Sequence, residues 1–255
     1  MTEAEWVTLQ SVTTIEMRDH VSQFVSPISR ELSDEHGELW GSGSYIESEA
    51  KRCIVTNEHV ANAQASAGLT HQFRDSETIR RITNPFLTLP HPVDSAIARI
   101  DNAAWDLDNH TGAAIPLSRF AQQHNTVKGE LLFMLGFSGE RSDFIFQTLI
   151  TPATPYTTQE QELPEGETTE FHFGLHYLPE KAQTVDGSAR GLPIPKGFSG
   201  SLVWNTRRVE CMQEGKPWTP EQAQVTGMLC RWLPDAGCLV ATRVEHLLDL
   251  FRRPE

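Results

Sequence analysis

Residues Pro195–Trp204 read PKGFSGSLVW. Gly197 and Gly200 bracket Ser199 closely, and glycine enters positive-φ backbone at no steric cost. Such backbone can aim successive N–H groups into one small space, as in main-chain anion sites. The segment then enters Leu202–Trp204, an apolar run that reads as a strand anchoring the turn. Ser199 is therefore a candidate nucleophile, with the N–H groups of Gly197 and Ser199 as its oxyanion hole. A serine hydroxyl is weakly nucleophilic alone, so it needs a base and a group that orients the base.

Both types of residue lie upstream. IVTNEHVA, Ile54–Ala61, is an apolar strand ending in a turn that bears His59. A histidine at such an edge can keep one ring nitrogen open while a partner holds the other. VDSAIARI, Val93–Ile100, places Asp94 at the entry of a second apolar strand. A carboxylate partly buried there needs a dedicated donor, and an imidazole N–H is a suitable one. Singly, each has a plain reading: a surface or core histidine, a strand-entry aspartate, a glycine-rich turn. Jointly they supply base, orienting acid and nucleophile in the chain order His, Asp, Ser.

Around these motifs the chain is a succession of short apolar or alternating runs broken by Gly, Pro, Asn and Asp, a pattern that predicts an all-β architecture. The predicted strands are Trp40–Glu47, Cys53–Thr56, Ser95–Ile100, Glu130–Leu135, Phe144–Thr151, Phe171–Tyr177, Ser201–Trp204, Val225–Arg231 and Leu239–Thr242. Helical spacing is clearest in Val244–Phe251. The N-terminal Met1–His20 carries a capping-box pattern, Thr2 with Glu5, but also a β-branched run that opposes a helix. Pro155–Glu170 holds five glutamates and no basic residue, and reads as a solvated, mobile loop. Asn205–Gln224 reads as a polar insertion. Ser118–Val127 reads as the linker between two β-rich halves, residues 1–120 with His59 and Asp94 and residues 121–255 with Ser199.

The net charge of −13 opposes nucleic-acid binding, which requires clustered Lys and Arg. No run is long and apolar enough for a membrane span, and the acidic, polar start MTEAEWVTLQ does not read as a signal peptide. The expectation is thus a cytoplasmic protein. Its four cysteines, Cys53, Cys211, Cys230 and Cys238, contain no C-x-x-C pair and are expected as free, mostly buried thiols.

The sequence resembles the trypsin-like serine peptidases, especially the compact bacterial HtrA-like kind, over roughly Leu39 to Phe251. GSGSYI at Gly41–Ile46 is similar to that family's opening strand, TNEHV at Thr56–Val60 to its catalytic-histidine motif, and DSAIA at Asp94–Ala98 to its aspartate segment. AIPL at Ala114–Leu117 resembles the strand closing the first barrel, and FMLGF at Phe133–Phe137 the first strand of the second. KGFSG at Lys196–Gly200 resembles the nucleophile motif. VTGMLCRW at Val225–Trp232 resembles the substrate-pairing strand, and VATRV at Val240–Val244 the closing segment. The resemblance implies two perpendicular six-stranded β-barrels followed by a C-terminal helix, with the triad in the cleft between them. It also implies an endopeptidase of protein or peptide substrates that needs no cofactor or metal. Substrate would pair with Cys230, Arg231 and Trp232, while Pro193 occupies the position where a trypsin carries its pocket aspartate.

Three features depart from the family pattern. Phe198 stands where many relatives have an aspartate that pairs with a freshly cut N-terminus, so control by loop ordering or by a protein partner in trans is expected instead of propeptide cleavage. Ser201 and Leu202 replace a Gly-Pro pair, and Cys230 replaces the Ser or Thr that commonly supports the aspartate. With no room for an appended peptide-binding domain after Phe251, any regulator is expected to act in trans.

Other readings compete. The G-F-S-G motif recurs at Gly136–Gly139, but Ser138 lies only 44 residues after Asp94 and leads into a polar stretch, whereas Ser199 lies 105 residues on. An α/β-hydrolase would use Ser199, Asp235 and His246, yet the elbow motif is incomplete and no strand–helix alternation is present. His172 and His176 are four apart, but FHFGLHY reads as a strand and lacks patterned acidic ligands. A catalytically silent fold serving as a protein-binding module is the non-enzymatic alternative, since fold does not fix function.

Overall fold

The computed structural model describes residues 2–33, 36–107, 109–145, 148–182, 185 and 191–253. Two curled antiparallel sheets dominate it. The first is built from β1 (Val25–Ser33), β2 (His36–Ser48), β3 (Lys51–Thr56), β4 (Leu69–Gln72), β5 (Ile79–Arg81), β6 (Leu87–Leu89), β7 (Ser95–Arg99) and β8 (Ile115–Pro116). Its order is β5-β4-β1-β2-β3-β7-β6, with β8 added in parallel to β2. After β9 (Leu132–Phe137), β10 (Asp143–Ile145) and β11 (Thr148–Ile150) pair only with each other. The second sheet joins β9 to β12 (Ala153–Thr158), β13 (Glu160–Gln161), β14 (His172–His176), β15 (Leu202–Asn205), β16 (Gln224–Leu233) and β17 (Cys238–Arg243). Its order is β12-β9-β15-β16-β17-β14-β13. Helices are α1 (Glu3–Val21), α2 (Glu58–Ala61), α3 (Asn102–Leu107), α4 (Arg208–Gln213) and α5 (Leu248–Phe251). The double barrel with a C-terminal helix is the architecture the sequence predicts.

Three packed cores explain why so many strands read as continuous apolar runs. In β9, Leu132 and Met134 point into the core of the second barrel, with Phe173, Leu175 and Val203. The alternate residues Phe133, Leu135 and Phe137 point the other way, into a core between the barrels that also takes Ile46, Val55, Ile97, Trp204 and Phe251. In β3 the same alternation sends Ile54 into the first barrel, beside Tyr45 and Phe73, and Cys53 and Val55 into the shared core. A strand buried on both faces loses the polar half of its period-2 pattern.

The N-terminal segment is helical. Both halves of the capping box form, Glu5 N–H donating to the Thr2 hydroxyl at 3.3 Å and Thr2 N–H to Glu5 Oε2 at 2.7 Å. Thr8, Thr13 and Thr14 donate their hydroxyl protons to carbonyls one turn back, at 2.9, 2.7 and 2.7 Å, and burial of Met17 and Val21 in the shared core outweighs the cost of the β-branched residues. Grouped by sequence with the first half, α1 packs instead on β12 and β9 of the second sheet; the Thr14 and Thr157 hydroxyls meet at 2.7 Å.

Several expectations need correction. Phe144–Thr151 is two paired strands, not one, and Glu130 precedes β9, its buried carboxylate accepting from the Val209 and Glu210 N–H groups that start α4. The polar segment 118–127 is fastened down: Phe120 bridges to Val225, and buried His124 contacts the Thr226 hydroxyl at 2.7 Å. The acidic stretch 155–170 is largely structured. It contributes β12 and β13, Glu160 reaches His124 at 3.3 Å, and Glu167 pairs with Arg231. The His124 hydrogen bond holds the Glu160 carboxyl below its ordinary value. The polar insertion contains α4. The C-terminal helix begins as a 3₁₀ turn, Val244–His246, before α5. All four cysteines are free thiols. Among the described residues no helix is long and apolar enough to cross a membrane.

Met17, fully buried in the shared core, makes α1 part of the fold. Met17→Ala should cost about 2–5 kcal/mol in denaturant unfolding; a loss below about 0.5 kcal/mol, the range of neutral surface changes, would show α1 to be a detachable arm.

Candidate active site

His59 stands in the single turn of α2, immediately after β3 delivers the chain to the cleft. Asp94 stands one residue before β7, which pairs with β3, so sheet register alone brings the two together. The His59 Nδ1 to Asp94 Oδ2 distance is 2.7 Å, and the His59 main-chain N–H donates to Oδ1 at 3.0 Å. The imidazole is 47% exposed and the carboxylate 14%. Asp94 therefore has both oxygens engaged by one residue, which sets the orientation of the ring. Asp94 adopts φ of +48°, a left-handed conformation that strains a residue with a Cβ. Asn57 Nδ2 donates to its carbonyl at 2.7 Å.

Ser199 lies on a loop whose backbone is set by two glycines, Gly197 at φ +103° and Gly200 at φ +90°. A Cβ at Gly200 would fall 2.1 Å from the Ser42 carbonyl oxygen, and one at Gly197 would fall 2.7 Å from the Phe137 carbonyl oxygen. Ser42, on β2 of the opposite barrel, grips the loop: its N–H donates to Ser199 O at 2.8 Å and its hydroxyl to Gly197 O at 2.7 Å. Gly200 N–H donates to Leu229 O at 3.0 Å, and Leu229 N–H to Ser201 O at 2.9 Å, so the replaced Gly-Pro pair leaves a regular connection to β16. The N–H groups of Gly197 and Ser199 have no acceptor among the described residues. The Ser199 hydroxyl likewise has no partner among them.

His59, Gly197 and Ser199 share one cleft of about 880 Å³ between the barrels. Arg231, Trp232 and Leu239 line it too. The edge of Arg231–Leu233 opposite β17 has no strand partner among the described residues, because β15 ends its pairing at Met228. Pro193 is not in the cleft wall; it is buried, its carbonyl accepting the Tyr177 hydroxyl at 2.6 Å. Cys230 sits at a bulge in β16 with its thiol on Val240 O at 3.4 Å. Burial pushes that thiol up to about 12, and the nearby Asp94 charge adds to the shift. Glu38, Glu140 and Lys196 line the cleft as well, and the apolar wall residues missed by sequence reading include Ile194, Leu229, Leu39 and Trp40. Of these, only Ile194, next to the nucleophile loop, carried a signal, being apolar in a turn.

Ser138 is fully buried, its hydroxyl donating to Ile194 O at 3.0 Å and capping Glu140 N–H at 3.2 Å. It is a turn cap. His172 is buried with Nε2 on Pro92 O at 2.8 Å while His176 is exposed, and no group of three metal-type ligands occurs among the described residues. His246 Nε2 is occupied by Glu170 O at 2.8 Å. Phe198, at the position of the expected aspartate, is buried in the second-barrel core with its ring 6.1 Å from that of Tyr177, edge-on.

No family model matches this chain, and no curated protein matches it significantly. Solved structures do. The protease Rv3671c of M. tuberculosis, in its active form, aligns at TM-score 0.52 and 16% identity, over 96% of this chain and 88% of that one. The MamO protease domain of Magnetospirillum magneticum, in its apo form, aligns at TM-score 0.50 and 10% identity, over 90% and 95% respectively. At these identities the likeness speaks for the fold: this chain has the trypsin-like protease fold.

Proposed function

We propose that the protein is a serine endopeptidase in which Ser199 is the nucleophile, His59 the general base and Asp94 the group that orients and stabilises the imidazolium. The observation that carries this reading is the bonded pair His59–Asp94 on the same cleft as two acceptor-free N–H groups, Gly197 and Ser199. Ser199 Oγ attacks the scissile carbonyl as His59 Nε2 takes its proton, and the imidazolium returns that proton to the leaving amine. The two N–H groups receive the developing oxyanion; one such donor typically supplies about 2.7–4 kcal/mol. Water then attacks the acyl-enzyme with His59 again as base. No step calls for a cofactor.

An extended substrate would add as a strand to the open edge of β16 at Arg231 and Trp232, where main-chain bonds give affinity independent of sequence. Side-chain selection falls to the apolar wall of Ile194, Leu229 and Leu239. Burial of Phe198 holds the nucleophile loop without a pairing to a new N-terminus, which favours regulation by a partner or by loop ordering over propeptide cleavage.

Ser199→Ala and His59→Ala should lower kcat/KM on a peptide substrate by about 10³-fold or more, and Asp94→Asn by up to ~10⁴, while Ser138→Ala leaves it unchanged. A folded protein with no turnover by wild type would turn the reading towards a silent, protein-binding fold. In matched peptides, a leucine on the acyl side of the cut should be used at least ~10-fold better than a lysine; a preference for lysine would contradict the apolar wall.

A further inference from the structure

The loop that carries Asp94 is held by three side chains through three successive main-chain carbonyls. His172 Nε2 donates to Pro92 O at 2.8 Å, Thr242 Oγ1 to Val93 O at 2.9 Å, and Asn57 Nδ2 to Asp94 O at 2.7 Å. Asn57 belongs to the first barrel, as Asp94 does. His172 and Thr242 belong to the second, where they are paired across β14 and β17. The carboxylate itself takes hydrogen bonds only from His59 among the described residues, and Cys230 does not reach it. Its direction is therefore inherited from a backbone in the strained left-handed region, a conformation that persists only where the surroundings over-determine it.

We propose that His172 and Thr242 are positioning residues, a clasp by which the second barrel fixes the direction of the Asp94 carboxylate. This rests on the triad reading above. The chemistry of His172 is suited to the task. Because its Nε2 meets a carbonyl, that nitrogen carries the hydrogen, and the ring is a neutral donor. Burial lowers its proton affinity, which keeps it in that form. Its Nδ1 is buried without a partner, a cost that phenylalanine would avoid. A ring needed only for packing would not be a histidine; the Pro92 bond is what offsets the orphaned nitrogen. Thr242 also lies opposite Met228 of β16, the strand whose open edge would receive substrate. The clasp thus ties the orienting acid of one barrel to the substrate-bearing sheet of the other.

The test uses full-length His172→Phe, His172→Gln and Thr242→Val proteins. The first readout is the low-field proton NMR signal of His59 Nδ1–H bonded to Asp94, assigned by its loss in His59→Ala. The second is kcat and KM on a peptide substrate, and the third is the rate at which a fluorophosphonate labels Ser199. The clasp predicts that His172→Phe loses or broadens the signal and lowers kcat ~10–100-fold, the scale of small misplacements near reacting groups, with KM within about twofold. Thr242→Val should do the same more weakly, and His172→Gln, which keeps a donor near Nε2, should restore most of both. Folded His172→Phe and Thr242→Val proteins with wild-type signal and kcat would overturn the clasp; if His172→Phe does not fold, Thr242→Val decides alone. A wild type that shows the signal but never labels at Ser199 removes the peptidase reading, and the signal comparison still decides the clasp. Absence of the signal from wild type overturns the clasp together with the pair it holds.

Discussion

Ser42 of the first barrel turns its N–H and its hydroxyl onto the second, and its carbonyl is held within its own sheet. Its N–H donates to Ser199 O and its hydroxyl to Gly197 O, the same hydroxyl accepts from Phe137 N–H at 2.9 Å, and its carbonyl accepts from Thr56 Oγ1 at 2.8 Å. The backbone of the first barrel thus serves as the floor on which the second lays its serine loop. The contact leaves no room for a side chain. Gly200 must lack a Cβ because Ser42 O is there, and at Gly41 a Cβ would press on Val60, one residue after His59. With β2 and this loop in place, Gly197 and Ser199 line the cleft and their N–H groups have no acceptor among the described residues.

The loop would otherwise be easy to lose, since a turn with two positive-φ glycines has little intrinsic order. Phe198 is its second anchor. Its burial against Tyr177 substitutes a hydrophobic contact for an ionic one, and such contacts need no processing event and no change of charge to form. At the rim of the cleft, Arg231 on the open edge of β16 is partnered by Glu167 from the acidic connection.

The glycine spacing around Ser199, the strand-to-turn setting of His59 and the strand entry of Asp94 were legible in the sequence because each reflects a local backbone demand. The long two-faced strands β2, β3, β9 and β16 were legible through their apolar content. Strands β4, β5 and β6 were not, because three or four residues are too few to show alternation. β1 was hidden by Pro27 and by its charged end, Arg30 and Glu31. The helicity of α1 rests on burial of Met17 and Val21 in the shared core, a tertiary contact that propensity alone does not reveal. Pro193 was placed in the pocket by counting back from the serine; the structure turns its carbonyl to Tyr177 and presents Ile194 to the cleft instead. The roles of His172 and Thr242 had no local signature at all, since their partners lie 80 and 149 residues away in the chain.

The central claim is that Ser199, and not Ser138, is a serine activated by His59. The most direct measurement reacts the purified protein with a fluorophosphonate and locates the adduct by peptide mass spectrometry in wild type and in Ser199→Ala, Ser138→Ala and His59→Ala variants. The account predicts one adduct, on Ser199, that persists in Ser138→Ala and is lost in Ser199→Ala and His59→Ala. An adduct on Ser138, or labelling of Ser199 that does not depend on His59, would contradict it.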